Sequence, residues 1–546
     1  MPFRDRFFLA PAVICVLVAT PILAVALHGL AQTDLIGHLA NTVLPTYVAN
    51  TALLGLGVTL GTGIIGVGTA WLVTMCRFPG RRILEWALVL PLAAPAYVLA
   101  YTYTNFLEHA GPVQELLRHI FDLGPREYWF PEVRSLGGAI VMLTATLFPY
   151  VYLLSRAAFL EQSVCVIEVS RTLGHGPARA FLRVALPLAR PAIAAGVALA
   201  LMETLADYGT VSYFGVQTFT TGIYRAIFSF GDRVAAAQLA TGLLAFVILV
   251  LALERVSRGR RRFDHTTNTH RALPGYRLTG WKAGGATLAC ALPVVIGFVL
   301  PAALLIHMTA TGGHKMFGAR YLTLTMNSVT LAGITALLAV IVSLMLAYAN
   351  RLSKNRGTHL LTRLAALGYA VPGSVIAIGI LIPFSIIDRT VDDAARSLFG
   401  MSTGLIVTGT IIALIYAYLV RFLAVSLQTA EAGLTKITPS MDQAARVLGH
   451  PPRATLKRVH LPMLRGSLLT AGLIVFVDVM KELPATMILR PFNFDTLAVQ
   501  AHNLAADERL TQASTPALTI VAVGLLPVIL LSRQIARSRT GHRRPK

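Results

Sequence analysis

Long apolar runs separated by short polar segments dominate the 546-residue chain. A helix that crosses a bilayer needs roughly 20 apolar residues at 1.5 Å rise each. The pattern predicts six such helices, at about 8–30, 48–75, 84–106, 136–158, 190–214 and 235–253. Six more follow at about 286–308, 326–349, 364–387, 403–425, 467–489 and 514–533. The runs at 190–214 and 467–489 are the least cleanly apolar. The expected fold is therefore all-α, a polytopic membrane protein of about 12 transmembrane helices in two homologous six-helix halves. The polar, turn-rich stretch TTNTHRALPG (266–275) marks the division. It gives a first transmembrane domain at 1–265, a linker at 266–285 and a second transmembrane domain at 286–546.

Composition agrees with that reading. Apolar residues make up 55% of the chain, charged residues only 13%, and mean hydropathy is +0.67, whereas a soluble domain carries about 25% charged residues. The net charge of +22 is compatible with a nucleic-acid partner or a membrane topology signal, so position has to decide. With the N-terminus inside, the inner segments hold 35 Lys and Arg, with Arg156, Arg190 and Arg421 toward the inner ends of their spans counted among them, and the outer segments 11; Lys481, within a span, completes the 47. Such a bias follows the positive-inside rule and puts both termini in the cytoplasm. The cluster Arg255, Arg258, Arg260, Arg261 and Arg262 abuts a span and reads as a topology anchor at the lipid surface. No nucleic-acid partner is expected. The first span resembles a secretory signal, with Gly29-Leu30-Ala31 behind it, but exceeds a signal's apolar length and is expected to stay. Cys15, Cys76, Cys165 and Cys290 have no paired spacing, so neither disulfides nor a metal cage is expected.

Two polar stretches 275 residues apart are nearly the same sentence: EVSRTLGHGPARAFLRVALP (168–187) and QAARVLGHPPRATLKRVHLP (443–462). Nine of their twenty positions match without a gap, among them Arg171/Arg446, Gly174/Gly449, Pro177/Pro452 and Pro187/Pro462. Each lies in the loop after the fourth helix of its half, and parallel duplication places both on one side of the membrane. A short helix from Glu168 ended by Gly174 is expected, because glycine tolerates the left-handed turn at a helix end. Pro177 and Pro452 suit a helix's first turn, and Pro187 and Pro462 are expected to break the chain before the next span. Amphipathic interfacial helices are the plain alternative. The pattern resembles the E-A-A-x-x-x-G loop of binding-protein-dependent ABC-importer permeases. Gln443 stands where that motif has Glu, with Asp442 beside it.

The segments ETLADYGTVSYFGVQTFTTGIYR (203–225) and DVMKELPATMILRPFNFDTLA (478–498) resemble those of fused iron(III) permeases of the same family, and thiamine and phosphonate permeases are similar. The resemblance implies import of iron(III), a separate cytoplasmic ABC ATPase, as a dimer, docked on the loops through Glu168, Arg171, Gly174, Pro187, Gln443, Arg446, Gly449 and Pro462, and a periplasmic solute-binding protein that delivers substrate. The chain has no Gly-Lys dipeptide and hence no Walker A loop. Neither an enzyme nor a cofactor is expected, and no metal ligands are assigned. A twelve-helix secondary transporter also shows six-plus-six repeats, but it has no use for such loops.

Glu203 and Asp207, four residues apart, are expected on one helix face. Shifted by 275 they fall on Asp478 and Glu482, again acidic. Carboxylates within a span are costly and face a protein interior or a watery path. Two readings stand: a cation route lined by all four, or a structural role in which Lys481 neutralises an acid and the carboxylates cap helix breaks near Gly209 and Pro484.

Overall fold

The computed structural model describes residues 2–30, 37, 42–124, 127–161, 176–258, 276–353, 355–435 and 437–537. Among them, 11 helices are long and apolar enough to cross a membrane, and 12 when a bent pair counts as one span. The chain is a multi-pass membrane protein built almost wholly of helices. Its only strands among the described residues are Cys76–Arg77 and Tyr276–Arg277, paired in parallel. The second strand and the helix from Trp281 show that the described part of the expected 266–285 linker is ordered; the rest of it lies outside the described residues.

The expected span at 84–106 is not one helix. Arg81–Ala93 and Ala96–Phe121 are bent by 93°, because Pro95 forces its predecessor out of helical geometry: Ala94 has φ −104° and ψ 120°. The second half repeats the device. Arg356–Ala365 and a 3₁₀ turn, Ala366–Ala370, precede an extended Val371 and Pro372. The membrane helix is then Gly373–Phe399 rather than 364–387.

Pro187 and Pro462 do not break the chain, contrary to the expectation from sequence. Helix is continuous from Pro177 to Ala206 and from Pro452 to Met480, each run containing one π turn, Phe181–Ala185 and Leu456–His460. A proline lacks an N–H and crowds the preceding turn. A wide turn ending two residues earlier makes room for it.

The described helices group into two compact units. One unit holds 1–39, 222–244 and 317–500. In it Ala319–Leu352, Ile411–Leu434 and Leu461–Met480 pack together, and the N-terminal helix Pro2–His28 lies on Gly373–Phe399. Gly379 allows that approach: a β-carbon there would fall 2.0 Å from the Pro21 carbonyl oxygen. The other unit holds 40–221, 245–316 and 501–546. Leu44–Met75, Leu136–Glu161 and Leu186–Ala206 form its centre, and Leu300–Thr311 packs on Leu510–Arg537. Tyr103 donates to the Ile296 carbonyl at 2.6 Å, and Gly297 lies against the Ala145 carbonyl. The first helix of each sequence half thus belongs to the unit that holds the centre of the other half.

Candidate coupling loops and intramembrane carboxylates

Of the first loop, Glu168, Arg171 and Gly174 lie outside the described residues. The structure describes the loop's exit, where Pro177 opens a helical run as expected and Pro187 lies inside it. The second loop is complete but for residue 436. Its helix Pro439–Val447 ends at Gly449, which has φ +76°. His450 N–H donates to the Ala445 carbonyl and Gly449 N–H to that of Arg446, each at 3.0 Å. This paired closure satisfies carbonyls that would otherwise be orphaned and needs a left-handed residue at its centre. Pro452 starts the next helix, and Pro462 is carried within it.

Gln443, Arg446 and Gly449 are exposed, and beside them Val447 is 87% and Leu448 74% exposed. Asp442 points the other way. It accepts from Arg351 Nη2 at 2.8 Å and contacts His460 Nε2 at 2.7 Å. Burial works to raise its pKa, but hydrogen bonds and charge from Arg351, then His460, outweigh this and hold the carboxyl below its ordinary range. Asp442 is thus engaged within its own half, whereas Gln443 is exposed.

The four intramembrane acids divide by role. Asp207 and Glu482 do not share a helix face with Glu203 and Asp478, because Leu186–Ala206 and Leu461–Met480 end just before them. Each accepts backbone N–H groups three and four residues ahead. Asp207 takes those of Thr210 (3.0 Å) and Val211 (3.2 Å), and Glu482 those of Ala485 (2.9 Å) and Thr486 (3.1 Å). They cap the short helices Gly209–Tyr213 and Pro484–Leu489. Glu482 also pairs with buried Arg421 at 3.1 Å. Asp478 pairs with Lys481 at 2.9 Å, and Glu203 is half-buried. No cluster of three or more His, Cys, Asp or Glu with metal-binding geometry occurs among the described residues.

Sequence reasoning missed Arg421, although the signal was present: one arginine in the otherwise apolar run IIALIYAYLVRFLAV (411–425). It also missed a duplicated latch. Asn50 Nδ2 donates to the Gln217 carbonyl at 2.9 Å, and Asn327 Nδ2 to the Asp495 carbonyl at 3.1 Å. The neighbouring Thr51 and Ser328 hydroxyls accept from Phe219 N–H (3.4 Å) and Leu497 N–H (2.9 Å). The same bonds recurring 277 residues apart along the second helix of each half show that the duplication extends to structure.

A duplicated bundle of membrane helices with a capped helix break in each half, and a helix-turn-helix loop described in the second, is the architecture of a transport permease rather than an enzyme. The chain belongs to the family of binding-protein-dependent transport system inner membrane components, whose profile matches residues 62–262 and again 339–540. It is a multi-pass inner-membrane protein of that class. Among curated relatives, the Fe(3+)-transport system permease protein FbpB 2 of Haemophilus influenzae is 26% identical over 98% of this chain and 99% of its own. The ferric transport system permease protein FbpB of Actinobacillus pleuropneumoniae is 24% identical over 81% of this chain and 64% of its own. The molybdenum transport system permease protein ModB of Escherichia coli is 29% identical over 36% of this chain and 86% of its own.

Proposed function

We propose that this protein is the fused permease of an ATP-driven importer for iron(III), with domains at 1–265 and 286–546 joined by 266–285. A periplasmic binding protein delivers the metal, and a cytoplasmic ATPase dimer seats on the two loops. Both termini lie in the cytoplasm. The observation that carries the iron reading is end-to-end similarity, 98% of this chain against 99% of a permease named for Fe(3+) transport. The molybdenum permease matches only 36% of the chain.

Glu168, Arg171, Gly174 and Pro187 serve the first seat, and Gln443, Arg446, Gly449 and Pro462 the second. The exposed apolar tip Val447-Leu448 supports this assignment, since solvent-facing Val and Leu on a polar loop suit a partner's apolar groove. Glu203, Asp207, Asp478 and Glu482 flank the route; Asp207 and Glu482 hold its helix breaks in shape.

Gly449→Val tests the seat. A β-carbon in a left-handed turn is strained by about 1 kcal/mol or more, so the loop loses its closure while the spans persist. The expected result is a permease at normal membrane abundance that no longer co-purifies with its ATPase or takes up radiolabelled iron. Full co-purification would refute the docking assignment, and wild-type uptake of molybdate in place of iron would refute the substrate.

A further inference from the structure

The second loop is tied to its own half by a charged clamp. Arg351, near the end of Ala319–Leu352, donates to Asp442 through Nε (3.1 Å) and Nη2 (2.8 Å). It also donates to the carbonyls of Leu434 (2.8 Å) and Ile437 (2.9 Å), where the chain enters the loop. His460, 1% exposed at the loop's exit, lies 2.7 Å from the other Asp442 oxygen. One turn before Arg351, Tyr348 donates to the Pro452 carbonyl at 2.6 Å, and its ring meets His460 edge-on at 5.6 Å. Asn350 donates to Glu431 at 3.1 Å. Entry, middle and exit of the loop are thereby fixed to one helix.

The described residues of the first half are packed differently at the matching positions. The 275-residue register of the loops sets Ile167 and Ala185 against Asp442 and His460. The 277-residue register of the Asn50 and Asn327 latches sets Trp71 and Thr74 against Tyr348 and Arg351. None of these four counterparts ionises in the physiological range. Instead Trp71 packs on Phe159 at 5.6 Å and Phe181 at 5.0 Å, within an apolar cluster.

We propose that Asp442, Arg351 and His460 are positioning residues that make the second loop move as one piece with helix Ala319–Leu352, whereas Trp71, the counterpart of Tyr348, packs among aromatic rings. Charge-assisted hydrogen bonds from a planar guanidinium fork are directional and about twice as strong as neutral ones, so they resist sliding that ring packing tolerates. The depressed pKa of Asp442 agrees, since it keeps the carboxylate ionised in its partly buried seat. The inference rests on the loops being the ATPase seats only for its consequence in coupling; the stiffness itself does not depend on that.

The test places spin labels at exposed Met345→Cys and Ser440→Cys, in the full chain with its native cysteines replaced by alanine. The wild-type clamp should give one narrow distance distribution, in permease alone and in the ATPase complex, unchanged by ATP. Asp442→Asn should broaden it and cause a several-fold loss of transport per ATP hydrolysed, while Asp442→Glu should restore the narrow form. Should Asp442→Asn fail to reach the membrane, His460→Leu, which removes the donor to Asp442 while keeping an apolar side chain in the buried site, carries the same expectation. A distribution as narrow in Asp442→Asn, or in the His460 variant used in its place, as in the wild type overturns the clamp. Failure of the docking reading shows separately, as ATPase that co-purifies with Gly449→Val.

Discussion

At the residue scale, the decisive group is Glu482. Its side chain is 2% exposed, pairs with Arg421, caps Pro484–Leu489 through two backbone N–H groups and accepts the Thr486 hydroxyl at 2.7 Å. With so many partners the carboxylate is fully compensated, the condition under which a buried charge is tolerable. Its repeat partner Asp207 caps in the same way and also accepts the Thr210 hydroxyl at 3.0 Å. Two predictions separate them. Glu482→Gln leaves Arg421 buried without a counter-charge and should cost about 3–5 kcal/mol; Asp207→Ala loses a cap and should cost about 0.5–2 kcal/mol. Thermal unfolding midpoints in detergent check the order, and equal losses would contradict it. The acids themselves were legible from their 275-residue spacing. Their partners were not, because Arg421 is 61 residues from Glu482 and Arg156 is 71 from Glu85, with which it forms a second buried ion pair. Both arginines were counted among the inner basic residues. Setting them aside reduces 35 to 33 against 11 outside, so the topological bias survives.

At the element scale, apolar runs located nearly every helix and failed where composition stays apolar through a break. Proline positions alone did not decide the outcome: Pro95 bends the chain, whereas Pro187 and Pro462 are absorbed by π turns. The difference lies in what precedes each proline, an extended residue in one case and a widened turn in the others. Gly449, by contrast, was readable because a left-handed helix end has few sequence solutions. The asparagine latches were unreadable, since donor and acceptor lie 167 and 168 residues apart. They yield a prediction suited to a duplicated element. Asn50→Ala and Asn327→Ala each remove one side-chain-to-backbone bond of similar length, so each should lower stability by about 1 kcal/mol. Thermal midpoints of the two variants should fall together; a loss confined to one would show that the latches are not equivalent.

At the scale of the whole molecule, the sequence halves and the compact units differ, and the difference has a measurable consequence. Residues 1–39 fold with 317–500, and residues 245–316 fold with 40–221. The N-terminal helix makes its close approach at Gly379, and the Tyr416 hydroxyl reaches back to the Leu17 carbonyl. Leu300–Thr311 finds its partner in Leu510–Arg537, with Thr309 and Ser514 hydroxyls 3.0 Å apart. Apolar packing between helices within lipid rests on close contact and hydrogen bonds rather than on expulsion of water. A helix deprived of its partner therefore leaves small-residue faces and polar groups unmatched. Cutting the chain at 265/266 separates the first helix of each half from the helices it packs against. Neither fragment alone should accumulate as a protease-resistant species, whereas the two expressed together should restore both the resistance and the iron uptake of the intact chain. Fragment 266–546 should be rescued in part by residues 1–39 alone, because that segment supplies the missing neighbour of Gly373–Phe399. If instead 266–546 resists protease equally well with and without residues 1–39, the exchange of first helices has no energetic weight and each half folds by itself.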